Sequence, residues 1–228
     1  IESQKVVGKI LKEKMFSGEI NKKKKGGEIF PSFLSASILK DIHKKEIGIV
    51  GILRDITERN RLIDQLRFNA FHDPLTSLPN RNLFMERLER LIEHVKRDKS
   101  SSFSVLFLDL DRFKIINDSL GHLSGDKLLI LIAKKLTECL RKADTVSRFG
   151  GDEFAILLHS VDDAFNANFV AERILEDLKK PFIVNGHKIV ISASIGIVLK
   201  GEMYNSPEDI LRDADTVMYQ AKTLGKAR

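Results

Sequence analysis

The sequence has no tryptophan and a single cysteine, Cys139, in 228 residues. One thiol cannot close an internal disulfide. That excludes a disulfide-stapled scaffold and fits a reducing compartment, so the cytoplasm is the expected location. No histidines and cysteines are grouped at zinc spacing. No apolar run approaches the roughly 18 residues of a membrane-spanning helix; the longest, residues 128–133, reads as one face of a helix. The N-terminus carries no signal-peptide pattern. It begins at Ile1 rather than Met, as a piece of a longer protein would. Aromatic residues are few, at 7%, and do not interleave with basic ones. A nucleic-acid-binding surface is therefore not expected, although the net charge is +6. Much of that excess sits early, where Lys22, Lys23, Lys24 and Lys25 precede Gly26 and Gly27 as a solvated turn.

What is present is the composition of a globular protein, 43% hydrophobic and 31% charged, long enough for one large or two modest domains. Residues 5–16 have helical spacing. Residues 28–39 and 47–56 read as strands, the first containing Pro31, which suits an edge strand. Thr57 is placed to cap a helix running to about Phe71, with Leu62, Ile63, Leu66 and Ala70 as its apolar stripe. This helix is either a plain linker or a rod that transmits a signal. From Asp73 the pattern changes. Asn80 can cap a long amphipathic helix, residues 102–110 form a buried strand, and residues 125–140 a helix. A hairpin, a helix over 162–180, a strand pair around Gly186, a β-forming stretch over 189–199 and a last helix opened by Pro207 follow. Helices alternating with partly hairpin-connected strands imply an α+β layer structure around a mixed sheet.

The chemistry concentrates in two places. Arg148-Phe149-Gly150-Gly151-Asp152-Glu153-Phe154 puts two glycines and two acids between apolar strands. The glycine pair reads as a hairpin turn that lets an anion approach and holds Asp152 and Glu153 at its tip. An ordinary acidic turn fits that stretch equally well. Asp109 and Asp111 end the apolar strand two positions apart, hence on one face. Acids in so apolar a strand are costly to bury without a cation or partner. If this strand adjoins the hairpin, Asp109, Asp152 and Glu153 converge into an oxygen set suited to Mg²⁺ shared with substrate phosphates. The alternative is that these acids pair with Arg148, Arg112 or Lys114.

Several further segments recur in order: Asp73-Pro74-Leu75-Thr76, residues 109–114, Ile116-Asn117-Asp118, Gly121-His122, Gly125-Asp126, Ser192-Ala193-Ser194-Ile195-Gly196 and Tyr219-Gln220-Ala221-Lys222. With the Gly-Gly-Asp-Glu-Phe stretch they resemble a GGDEF domain of the diguanylate cyclase family over residues 73–228. The resemblance implies a palm-like fold similar to nucleotide cyclases. It also implies condensation of two GTP into cyclic di-GMP and two pyrophosphates by a homodimer using Mg²⁺, with Mn²⁺ as an alternative. Carried over by position, Asp109, Asp152 and Glu153 are the catalytic acids. Asp109, Asp152, Glu153 and the Leu110 carbonyl are the metal ligands. Asn117 and Asp126 take the guanine edge; Arg112, Phe113 and Lys114 supply backbone N–H groups to phosphate. Gly150, Gly151, Lys222 and Lys226 complete the triphosphate site. Lys226 stands where the family commonly has arginine, keeping the charge but not the bidentate fork, and Ser77 replaces a usual glycine. Arg141 and Asp144 match the inhibitory product site, with Arg173 as a further basic candidate; an ion pair at i, i+3 is the simpler alternative. With Gly18-Glu19-Ile20, Gly26-Gly27-Glu28-Ile29-Phe30 and the closing Arg54-Asp55-Ile56-Thr57-Glu58-Arg59, residues 1–56 resemble the C-terminal part of a PAS sensor domain, of unknown ligand, and residues 57–72 its linker helix. A catalytically silent GGDEF domain that binds GTP or cyclic di-GMP and regulates another domain remains the second expectation.

Overall fold

The computed structural model describes residues 2–99, 101–160, 164–199 and 204–225. The chain divides into two compact units, Ile1–Phe68 and Asn69–Arg228.

In the first unit, helix α1 (Glu2–Glu13) gives way at Lys14, which adopts φ +65, to strand β1 (Met15–Lys23). The helix expected to continue to residue 16 thus ends earlier. Strands β2 (Ile29–Lys40) and β3 (Glu46–Asp55) complete an antiparallel sheet in the order β1-β2-β3. Pro31 therefore lies on the central strand, not on an edge. It is tolerated because the β3 ladder starts only at Ser32, so no cross-strand partner needs the N–H that proline lacks. Asp41 closes the β2–β3 turn by accepting the N–H groups of His43 and Lys45 at 2.9 and 2.8 Å. Helix α2 spans Thr57–Phe71, and the division between the units falls inside it. Its capping acceptor is the Asp55 carboxylate, 2.8 Å from the Thr57 N–H, rather than the threonine. No α2 side chain is buried.

In the second unit the side chain of Asn80 accepts the Leu83 N–H at 3.1 Å and starts α3 (Arg81–Arg97). Strand β4 (Phe103–Leu110) follows, then α4 (Phe113–Leu120), α5 (His122–Glu138), β5 (Thr145–Gly150), β6 (Glu153–His159) and α6 (Ala164–Leu178). A short hairpin of β7 (Phe182–Val184) and β8 (His187–Ile189) leads to β9 (Ala193–Leu199) and α7 (Pro207–Thr223). The α+β architecture is as expected. The main sheet, in the order β5-β6-β4-β9, mixes a hairpin pair with strands joined by helical crossovers. Its described pairings are all antiparallel.

Strand β4 is buried along its whole length because helices cover both faces. Leu106, Leu108 and Leu110 share one core with Leu128, Ile132 and Leu136 of α5 and Ile174 and Leu178 of α6. Phe103, Val105 and Phe107 share the other with Phe84 and Leu88 of α3 and Ile210, Ala214 and Met218 of α7. The period of two then assigns Asp109 to the α3/α7 side. Helix α7 lies flat on β9 at Gly196, where an added Cβ would stand 2.1 Å from the Ala214 carbonyl oxygen and 2.4 Å from the Met218 nitrogen. That close approach positions the last turn of α7, with Lys222, over the end of β4.

Candidate active site

The site forms where β4 leaves the core. Antiparallel register sets Asp109 directly opposite Glu153 on β6 and Ser194 on β9. The backbone N–H of Leu110 donates to the Asp152 carbonyl at 3.2 Å, fixing the acidic turn against the strand end. Lys222 Nζ lies 2.6 Å from Asp109 Oδ1. The expectation that Asp109, Asp152 and Glu153 share a neighbourhood is met by the sheet order. The cation on Asp109 is Lys222, not any of Arg148, Arg112 or Lys114.

Crowding of these acids has an electrostatic signature. Burial pushes the Asp109 carboxyl above its ordinary pKa despite the Lys222 bond, and the charges of Asp152 and Asp111 add to the rise. Glu153 is raised too, by burial first and then by Asp109, Asp215 and Asp152. Asp215, on α7, is a neighbour that sequence reasoning missed; its place depends on how α7 packs. Among the described residues, no three His, Cys, Asp or Glu side chains could by themselves hold a metal ion. Still, desolvated oxygen donors that raise one another's pKa suit a hard divalent cation completed by carbonyl and phosphate oxygens, which is how Mg²⁺ is commonly bound. The donor set fits the ion.

Asp111 is differently employed. It is buried, its carboxylate accepts the hydroxyls of Ser192 at 2.6 Å and Ser194 at 2.9 Å, and its N–H donates to the Ser192 carbonyl at 2.8 Å. It anchors β4 to β9. Ser192 and Ser194, two apart before and within a strand, were the legible signal for it.

The expected turn differs in detail. Gly150 ends β5 and pairs with Glu153 after a register shift at Phe149, so the turn proper is Gly151-Asp152. The bulge absorbs one residue. Gly150 and Gly151 take φ +148 and +51, conformations that favour glycine. Arg148 braces the turn from behind: Nε and Nη2 donate to the Gly151 carbonyl at 3.1 and 2.9 Å, and Nη1 reaches both Asp73 carboxylate oxygens at 3.0 and 3.1 Å. Asp73 also accepts from the Thr76 N–H and hydroxyl at 2.8 and 2.6 Å.

Arg112, Phe113 and Lys114 form the start of a helix rather than a loop. Arg112, at φ +60, is the N-cap of α4, and no side chain caps that end. The first N–H groups of a helix have no intrahelical acceptor, which makes this an anion-favouring end. Phe113 is buried in the core, so only its backbone is available there. Arg112 also lines a cavity of about 510 Å³ with Ile115, Lys179, Val190 and Gly225. Asn117 and Asp126, on α4 and α5, are brought together by Gly125. A Cβ there would stand 1.9 Å from Asn117 Oδ1, so only glycine lets the helices meet with that carboxamide in place. Asp126 is the fifth residue of α5, beyond its first turn. Lys226 lies outside the described residues.

At the far end of the domain, the Asp144 carboxylate accepts the backbone N–H groups of Arg141 and His159, at 3.0 and 3.1 Å. Its contact with Arg141 is thus to the backbone rather than an ion pair with the guanidinium. Arg141, Asp144, Phe169 and Arg173 line a cavity of about 250 Å³.

The antiparallel sheet, flanked by helices, gathers acids at a glycine turn close to a helix N-terminus that no side chain caps. The diguanylate cyclase GGDEF domain family matches residues 70–228. The chain belongs to that family. It is 41% identical over 171 residues to the bifunctional diguanylate cyclase/cyclic di-GMP phosphodiesterase MucR of Pseudomonas aeruginosa, covering 75% of this chain and 24% of MucR. It is 38% identical over 200 residues to the diguanylate cyclase TpbB of the same organism, covering 80% of this chain and 46% of TpbB. The chain thus spans less than half the length of these relatives. The solved GGDEF domain of TpbB superposes with a TM-score of 0.66 at 41% identity, over 68% of this chain and 91% of that one. The coiled coil and GGDEF domain of DgcB from Caulobacter crescentus, solved with c-di-GMP, gives 0.68 at 26% identity, over 75% and 91%.

Proposed function

We propose that this chain is a diguanylate cyclase acting as a homodimer. Each copy holds one GTP, and each 3′-hydroxyl attacks the α-phosphorus of the other GTP. Two P–O bonds form, the two bonds to the leaving pyrophosphates break, and each 3′-oxygen gives up its proton to solvent, with Glu153 either assisting that transfer or serving as a second metal ligand. The observation that carries the reading is the pairing of Asp109 with Glu153 across β4 and β6, with Asp152 held beside them by the Leu110 N–H. Asp109, Asp152, Glu153 and the Leu110 carbonyl would hold Mg²⁺, or Mn²⁺. Bound there, the ion would neutralise phosphate charge and favour ionisation of the hydroxyl.

The chain's own residues do the rest. Asn117 and Asp126 meet the guanine edge, Asp126 accepting from N1–H and the 2-amino group. Adenine lacks those donors, and an unpaired Asp126 would cost roughly 1–3 kcal/mol. The N–H groups at Arg112, Phe113 and Lys114 receive phosphate oxygens, and Gly150 and Gly151 leave room for them. Lys222 is poised to exchange Asp109 for phosphate, with Lys226 as a second cation. Arg141 and Asp144, with Arg173, would bind cyclic di-GMP and feed back on the enzyme. Residues 1–56 serve as a PAS-like sensor piece and 57–72 as its linker helix, in a cytoplasmic signalling protein; no described helix is long and apolar enough to cross a membrane.

One observation favours a second reading. The Lys222–Asp109 ion pair satisfies the central acid without any metal, as a silent nucleotide-binding module would need. Incubation with GTP and Mg²⁺, followed by chromatography and mass analysis, decides. Cyclic di-GMP and pyrophosphate should appear, and Asp152→Ala should abolish them. No product from protein shown to be dimeric and nucleotide-free would overturn the cyclase reading, and calorimetric GTP binding without turnover would establish the module.

A further inference from the structure

Helix α5 starts without the usual support. Its N-cap, Gly121, adopts φ +79 and has no side chain to offer the first N–H groups, and no acidic residue occupies the first turn. Yet the start of this helix carries Ser124, Gly125 and Asp126, where small displacements matter most. Lateral support comes from the β7–β8 hairpin. Its turn residues, Asn185 and Gly186, lie at φ +51 and +84, a left-handed pair that Asn-Gly tolerates well. This turn presents the Asn185 carboxamide to α5. Its Oδ1 accepts from Lys127 Nζ at 2.7 Å, and its Nδ2 donates to Ser124 Oγ at 3.1 Å. The two bonds bracket Gly125 and Asp126 on either side. Gly125 in turn abuts the Asn117 carboxamide, so a shift of this turn reaches both side chains assigned to the base.

We infer that Asn185 is a positioning residue for base recognition: the β7–β8 hairpin holds the start of α5 from the side, through the side chains of Ser124 and Lys127, and sets Asp126 and Asn117 for a guanine. The inference rests on the assignment of those two side chains to the guanine edge. Asn185 touches no substrate atom itself. Removing its two bonds frees the start of α5, weakening hydrogen bonds that guanine makes and hypoxanthine, lacking the 2-amino group, makes only in part.

The test is steady-state turnover of GTP and ITP by the whole chain and its variants. Asn185→Gly keeps the left-handed turn but deletes both bonds. It should raise the KM for GTP about fivefold, the value of one net hydrogen bond, while kcat and the KM for ITP change less than twofold. Asn185→Asp retains acceptors for Lys127 and for the Ser124 hydroxyl and should restore the GTP preference. Ser124→Ala in the Asn185→Gly background should add nothing further. An unchanged GTP-to-ITP preference in Asn185→Gly, in a wild type whose preference falls on Asp126→Ala, overturns the inference alone. A wild type that neither binds nor consumes GTP overturns the base assignment and this inference with it.

Discussion

Replacing Asp73 by alanine removes a partner from the most enclosed ion pair among the second unit's described residues. Its side chain is 14% exposed and that of Arg148 10% exposed. Four hydrogen bonds end on this carboxylate, two from Arg148 and two from Thr76. Breaking a buried pair by removing one member typically costs about 3–5 kcal/mol, and the residual exposure points to the lower end, about 3 kcal/mol. At roughly 2–4 °C per kcal/mol for a unit of this size, the melting temperature should fall by about 6–12 °C. Calorimetry of Asp73→Ala, Arg148→Met and the double variant measures the coupling, expected to be about 2 kcal/mol. Turnover should fall as well, by an order of magnitude or more, because Arg148 carries the brace on from Asp73 to the Gly151 carbonyl, and small misplacements at a reacting centre are costly. Losses that simply add, with coupling below about 0.5 kcal/mol, would refute the reasoning.

The same carboxylate predicts an acid sensitivity. Burial works to raise the Asp73 pKa, but the Thr76 bonds and Arg148 outweigh it and hold the group below its ordinary 3.8. Its stabilising contribution is therefore complete above 3.8 and lost as pH falls through the lower folded value; acid titration of Asp73→Asn should lack that component. Ser77 sits at φ +60, where glycine is favoured, so Ser77→Gly should stabilise the domain by about 0.5–1 kcal/mol in denaturant unfolding, and a loss would show that the serine conformation is not strained. Gly125→Ala must displace the Asn117 carboxamide, and GTP affinity by calorimetry should drop about 2–10-fold, the range of one net hydrogen bond. Arg141→Ala, at an exposed position, should relieve inhibition by added cyclic di-GMP at least tenfold while unfolding free energy changes by less than about 0.5 kcal/mol; retained inhibition would remove Arg141 from the product site.

What the sequence determined by itself is local. The apolar residues of β4 announced a buried strand, Asn80 announced a helix start, and the surroundings of Gly186 a strand pair. The ordered motifs announced the family. These follow from torsional preference and burial over a few neighbouring residues. Helix α4 escaped notice because it is only eight residues long and contains Asn117 and Asp118, which read as turn formers. Pro31 misled because its cost depends on where the β3 ladder begins, a register that lies in another strand. Only the tertiary structure decided which charges meet. Arg148 had acids next to it in sequence, yet it pairs with Asp73, seventy-five residues away. Lys222 reaches Asp109 only because Gly196 lets α7 lie flat on β9, and Asp111 is drawn to Ser192 and Ser194 by the β4–β9 register. Several partners of suitable charge were available to each of these groups. The choice among them is made by which strands adjoin and how closely helices approach, and that is a property of the whole packed sheet.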